Sequence, residues 1–184
     1  RTTGMMDRAF AQVSREAIFE HTGLQFMPFN TLYQLLAMRQ LRSPLLDVAE
    51  SFLMIPDLIH WLLTGVKANE VTNASTTQFY DPRNQSWSTE LLNRLDLPSH
   101  ILGQLIQPGT RLGTLRSHVA ADTGLPQVDV VVPGTHDTAS AVVAVPANYK
   151  PGEHPDWCYI SSGTWSLMGV EVPRPVISEK CRAW

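Results

Sequence analysis

The chain has 184 residues, 43% hydrophobic and 17% charged, with fourteen basic side chains against seventeen acidic ones and a net charge of −3. That length allows one full domain, or one domain plus part of another, with enough apolar material for a core. The charge balance offers no basic face for phosphate backbones, which argues against nucleic acid or an anionic membrane as partner, and no run approaches the roughly 20 apolar residues of a membrane span.

In chain order, the first half reads as helical. Met6, Phe10, Val13 and Ala17 recur at the spacing of one apolar helical face, which predicts a single helix closed at His21-Thr22-Gly23, with Gly23 in the left-handed position. An apolar loop follows around Pro28. Thr31 and Gln34 read as a capping box opening a helix through about Arg39. Pro44 starts another helix, with Leu45, Val48, Ala49 and Phe52 on one face. Pro56-Asp57 opens a further helix that ends at Thr64-Gly65, the proline at the first position and the carboxylate near the positive end of the dipole. A polar loop is expected over 72–77 and a turn over 81–84. Ser88 is placed as the cap of a helix carrying Leu91, Leu92 and Leu95, closed by Pro98.

The second half changes character. Val128 to Val132 is mostly β-branched and reads as a strand buried on both faces. Pro133-Gly134-Thr135 breaks it, and Ala139 to Val145 reads as a small-residue helix packed close to the sheet. Residues 147–156 have the composition of a linker. Trp157 to Ile160 and Thr164 to Val172 read as two strands joined through Ser161-Ser162-Gly163. A lone hairpin cannot bury its faces, so a larger sheet outside the sequence is expected to take this one. Cys158 and Cys181 are the only cysteines. They form no Cys-x-x-Cys pair and read as free thiols of a reducing cytosol, which makes the cytoplasm the expected location. Both ends look abrupt, and no secretory leader precedes Arg1. The functional unit is therefore expected to be longer.

Two segments can carry chemistry. In Gly134-Thr135-His136-Asp137-Thr138 a strand runs into a glycine turn and a helix departs at once, which is where ligands sit in open α/β sheets. A carboxylate there can accept a proton from a substrate hydroxyl. Asp137 can equally be no more than a helix cap. His136 and Thr138 can bind a polyol or simply support the turn. In Ser161-Ser162-Gly163-Thr164, a turn of hydroxyl residues and glycine can cradle phosphate oxygens or be an ordinary hairpin. The six histidines are scattered without metal-ligand spacing. Ser162 lacks the Gly-x-Ser-x-Gly elbow of a hydrolase.

Taken together, the segments resemble the FGGY carbohydrate kinases of the actin-like, ribonuclease H-like ATPase superfamily. The residues that carry the resemblance are Arg1-Thr2, Gln25 to Leu35, Met54 to Gly65, Thr72 to Thr77, Thr135 to Val142 and Tyr159 to Gly169. The resemblance implies an α/β, ribonuclease H-like fold. Residues 1–148 would form the later part of an N-terminal, sugar-binding domain, and 149–184 the first hairpin of a C-terminal, ATP-binding domain. It implies ATP-dependent phosphorylation of a ketose with Mg²⁺. L-rhamnulose is the expected sugar, from the Gln25 to Leu35 stretch, in which Phe26, Met27 and Phe29 are candidates to meet a sugar methyl. Asp137 would be the catalytic base, His136 and Thr138 would contact the sugar, and Gly163 and Thr164 would reach ATP. The alternatives are another sugar kinase of the family, acting on xylulose, ribulose or glycerol, and a non-catalytic sugar-binding regulator. The family's early Asp-x-Gly phosphate loop and its adenosine-binding segment are not found in the sequence.

Overall fold

A computed structural model describes residues 2–147 and 157–183. Helices α1 (Met5–Gln12) and α2 (Arg15–Thr22) replace the single helix predicted there. Ser14 interrupts it: its hydroxyl accepts a hydrogen bond from the Ala17 amide at 3.2 Å and gives the second helix its own cap. Gly23 ends α2 at φ 61°, as its position after a helix predicts. Helix α3 (Thr31–Gln40) keeps the expected range, but its cap is Asn30 rather than the Thr31 and Gln34 box. Asn30 Oδ1 accepts from the Met27 amide at 2.8 Å, and the Gln34 side-chain amide donates backwards to the Phe29 carbonyl at 2.8 Å. Helix α4 (Pro44–Val48) starts at its proline but lasts five residues. Leu45 and Val48 are exposed, so the longer apolar face expected through Phe52 does not form. In α5 (Ile55–Thr64), Pro56 occupies the second position and Asp57 the third, one later than predicted.

The rest of the chain is built from short pieces. They are β1 (Asn69–Glu70), α6 (Val71–Ala74), a 3-10 turn (Ser75–Thr77), β2 (Tyr80–Asp81), β3 (Ser86–Trp87), α7 (Thr89–Arg94), β4 (Leu105–Ile106), β5 (Arg111–Thr114), α8 (Ser117–Thr123), β6 (Asp129–Val131), α9 (Asp137–Val143), β7 (Tyr159–Ser162), β8 (Ser166–Gly169) and α10 (Glu179–Ala183). The segment expected as a polar loop at 72–77 is helical. Ser75, Thr76 and Thr77 each turn a hydroxyl back onto the carbonyl three residues earlier, at 2.8, 2.8 and 2.6 Å, so the hydroxyls are satisfied locally. Ser88 precedes α7 as expected, but its hydroxyl lies 3.3 Å from His21 Nδ1 instead of capping the helix.

Strands pair only in twos among the described residues: β1 parallel to β4, and β2–β3, β5–β6 and β7–β8 antiparallel. The expectation of a strand buried on both faces over 128–132 is therefore corrected. A two-stranded antiparallel ribbon leaves a face uncovered, and Val131 is 55% exposed while only Val132 is fully buried. Helix α9 likewise buries none of its residues, since its alanines and serines have little sheet to pack on. The closing turn of the last hairpin is Gly163-Thr164-Trp165, not Ser161 to Gly163, because pairing runs on to Ser162 and Ser166. From 148 onward, the stretch predicted as a linker lies outside the described residues. No helix among the described residues is long and apolar enough to cross a membrane.

The core lies among α1, α2, α3, α7 and the β2–β3 ribbon. Ile18, Leu32, Tyr33, Phe79, Leu91 and Leu92 are fully buried there. Phe52, Phe79 and Trp87 cluster with ring centroids 5.5–6.3 Å apart. Each such buried side chain contributes about 1.5–3 kcal/mol. The C-terminal segment returns to this body: Gln25 donates to the Cys181 carbonyl at 2.8 Å, and Arg182 pairs with Glu16 at 2.5 Å. Cys158 and Cys181 are free thiols.

Candidate functional site

The turn between β6 and α9 is held from below by a carboxylate that sequence reasoning missed. Glu70, wholly buried, accepts on Oε2 from the Thr135 amide at 2.9 Å and the Thr135 hydroxyl at 2.7 Å. Its other oxygen accepts from the Thr72 amide at 2.8 Å, and the Thr72 hydroxyl also donates to Oε2. The Thr72 oxygen in turn accepts from the His136 amide at 3.2 Å. Burial alone would push the Glu70 carboxyl up, but the bonds from Thr72 and Thr135 outweigh it and hold it below its ordinary value.

Asp57 supports Glu70 in the same manner. It is 1% exposed and accepts from the Glu70 amide at 3.1 Å, the Asn69 side-chain amide at 3.0 Å and the Met54 amide at 3.2 Å. Here burial prevails over those bonds and its carboxyl is raised. Periodicity arguments find apolar faces, so a lone acid between Asn69 and Val71 gave no signal. Asp57 was noticed only for its position near a helix dipole.

Asp137 itself stands in the open, with its side chain 98% exposed at the first position of α9. Its Oδ1 accepts from the Thr138 amide at 2.6 Å and the Thr138 hydroxyl at 3.3 Å, and lies 3.6 Å from His136 Nδ1. The carboxylate thus does serve its own helix start, and it is also free to meet a ligand.

A cavity of about 750 Å³ lies beside it. Thr72, Ser75, Thr76, His136 and Thr138 form one wall, and Trp157, Tyr159 and Leu167 of the hairpin region form another. A second cavity, of about 420 Å³, shares Thr76 and His136 with the first and is otherwise lined from the 24–34 stretch, including Gln25, Met27, Phe29, Asn30 and Gln34. Both volumes suit small-molecule ligands. The structure therefore brings His136 and Thr138 to the first cavity, and joins His136 to the Gln25 to Leu35 stretch in the second. Phe26 is elsewhere: its ring packs on Phe10 at 5.1 Å under the Arg15 guanidinium at 4.7 Å. Gly163 and Thr164 are exposed at the hairpin tip and line neither cavity. The next residue, Trp165, has its ring 6.4 Å from that of Phe29. The first cavity sets a wall bearing hydroxyls against an apolar one that includes Val142, Val143 and Val145, beside an exposed carboxylate; this suits a small ligand with hydroxyl and apolar surface, one of whose hydroxyls can give up a proton. No group of three His, Cys, Asp or Glu side chains among the described residues is placed to hold a metal ion.

Comparison with known proteins gives a family and a fold. Residues 1–144 match the N-terminal domain of the FGGY family of carbohydrate kinases. The chain is 44% identical over 180 residues to the rhamnulokinase of Oceanobacillus iheyensis, covering 98% of this chain and 37% of that protein. To the rhamnulokinase of Pectobacterium atrosepticum it is 45% identical over 183 residues, covering 100% of this chain and 35% of the relative. The chain thus spans about a third of the length of the curated relatives it matches. Among solved structures, a carbohydrate kinase from Novosphingobium aromaticivorans superposes with a TM-score of 0.73 at 23% identity, over 94% of this chain and 37% of that one. A xylulose kinase from Lactobacillus acidophilus does so with a TM-score of 0.66 at 20% identity, over 72% of this chain and 27% of its own. The expected α/β fold of sugar kinases is thereby shown, whereas these identities say nothing about the sugar.

Proposed function

We propose, from the premise that this chain belongs to the FGGY family of carbohydrate kinases, that it is part of an ATP-dependent kinase for L-rhamnulose. The observation that carries this reading is identity of 41–45% to rhamnulokinases over nearly the whole chain. The cavity lined by Gln25, Asn30 and Gln34 takes the sugar, with Met27 and Phe29 as its apolar surface and His136 as a hydroxyl partner, and Thr138 meets the sugar from the adjoining cavity that shares His136. Asp137 takes the proton as the sugar oxygen bonds to the γ-phosphorus, while the bond from that phosphorus to the bridging oxygen breaks and ADP leaves. Gly163 and Thr164 at the hairpin tip contact the ATP phosphates. Mg²⁺ would arrive with the nucleotide and would supply neutralisation of the phosphate charge, held chiefly by the phosphates themselves and water. Residues 1–148 belong to the sugar domain and 149–184 begin the ATP domain. The free thiols Cys158 and Cys181 suit a cytoplasmic enzyme.

The test is kcat/KM on the full-length kinase, with ATP and Mg²⁺, for L-rhamnulose, xylulose, ribulose and glycerol. L-rhamnulose is expected to lead, because a site that pairs buried polar groups with one hydroxyl pattern leaves them unpaired with another. A lead of tenfold or more for xylulose or glycerol would overturn the choice of sugar and leave the family assignment standing.

A further inference from the structure

We propose that Glu70 is a positioning residue for phosphoryl transfer, its buried carboxylate fixing the turn that carries Asp137. The inference rests on the reading of Asp137 as the proton acceptor. Asp137 is 98% exposed and its side-chain hydrogen bonds reach only Thr138, so nothing in the core holds the carboxylate itself. Its place is set by the backbone leading into it. Three groups tether that backbone: the Thr135 amide and hydroxyl to Glu70 Oε2, and the His136 amide to the Thr72 hydroxyl oxygen. The Thr72 hydroxyl in turn donates to Glu70. All three ties therefore end on one carboxylate, carried by β1.

Four donors converge on Glu70: the amide and hydroxyl of Thr72 and those of Thr135. A carboxylate accepts on both oxygens, whereas a glutamine would aim an amide N–H₂ at donors on one side. Capping α6 explains only one of the four bonds, that from the Thr72 amide. The two ties to Thr135 cross 65 residues of sequence and close nothing but the Asp137 turn.

The experiment is a kinetic cycle in the full-length kinase with Glu70→Gln, Asp137→Asn and the double variant, measuring kcat and both KM values for L-rhamnulose and ATP. Glu70→Gln is expected to lower kcat by about 10–100-fold, the effect of misplacing a reacting group by about an ångström, with the KM for ATP little changed. In the Asp137→Asn background it should lower kcat no further, since the group it places has lost its function. A kcat for Glu70→Gln equal to that of the parent would overturn the proposal, as would a double variant slower than Asp137→Asn by the full Glu70→Gln factor, the mark of a structural effect. If Glu70→Gln yields no folded protein, Thr135→Val, which removes one hydroxyl donor and leaves the charge, goes through the same cycle with the same two outcomes. A parent enzyme that phosphorylates none of the four sugars, or an Asp137→Asn variant as fast as the parent, would instead refute the functional reading beneath it.

Discussion

Removing the Asp57 carboxylate tests how far the site depends on buried polar support. Asp57 Oδ2 accepts from the Met54 amide and the Asn69 side chain, and Oδ1 from the Glu70 amide, all within 3.2 Å. In Asp57→Ala all three donors lose their acceptor, at about 1–3 kcal/mol for each one that water cannot reach. Part of that is returned, because burial already disfavours the Asp57 charge. The net loss is expected to be about 2–5 kcal/mol, the sum over the unsatisfied donors less that return. Asp57→Asn keeps one oxygen for two of the donors and turns its N–H₂ toward the third, so it should cost about 1–2 kcal/mol. Urea unfolding followed by tryptophan fluorescence measures both, with Trp61 on α5 itself as the local probe. An alanine variant that loses less than about 1 kcal/mol, or an asparagine variant as damaged as the alanine one, would refute the reasoning.

Asp137→Asn in the full-length kinase should lower kcat by about 10²–10⁴ while sugar affinity largely survives, because the amide keeps the shape but cannot take the proton; near-normal turnover would leave Asp137 as a helix cap only. Stability against pH should show the two buried carboxylates in opposition. Glu70 is lowered from an ordinary value near 4.5, so the stability it contributes is present above that value and is lost as pH falls through its folded pKa. Asp57 is raised from 3.8, so its contribution is full below that value and fades as pH rises through its folded pKa. Acid unfolding of Glu70→Gln should therefore depend less on pH than that of the parent, and Asp57→Asn should depend on it more; the reverse order would contradict both assignments.

The elements legible in the sequence are those whose signal is local. Pro44, Pro56, Gly23 and Gly65 mark helix ends through their own backbone restrictions, and all four stand where they were read, within one position. The break at Ser14 was missed because apolar spacing runs through it, and a cap hydroxyl looks the same whether or not the chain bends there. The valines at 128–132 suggested a central strand, yet what covers a strand is a tertiary fact, and here it has one partner. The place of His136 and Thr138 at a turn between a strand and a helix was legible from the local pattern. The support beneath them was not: Glu70 is 65 residues from Thr135, and no spacing rule connects them.

On the proposal that Asp137 accepts the proton, an exposed carboxylate and a buried one divide the task between them. A group that takes a proton from an incoming hydroxyl must be reachable, so its side chain cannot also be anchored by packing. Asp137 meets that need at the cost of having only Thr138 to hold it. Precision then has to enter through the backbone, and the turn has two polar handles, Thr135 and the His136 amide, that a core of leucines could not grip. Only an acceptor can, and inside the protein an acceptor for several donors at once is best a carboxylate. Glu70 must in turn be held against drift, which the Asp57 bond to its amide and the pairing of β1 with β4 provide. The chain from Met54 to Asp57, Glu70, Thr135 and Asp137 thereby ties an open site to the start of α5 through hydrogen bonds and backbone. Substitutions along that chain should be felt at the proton-accepting group even where they touch no sugar.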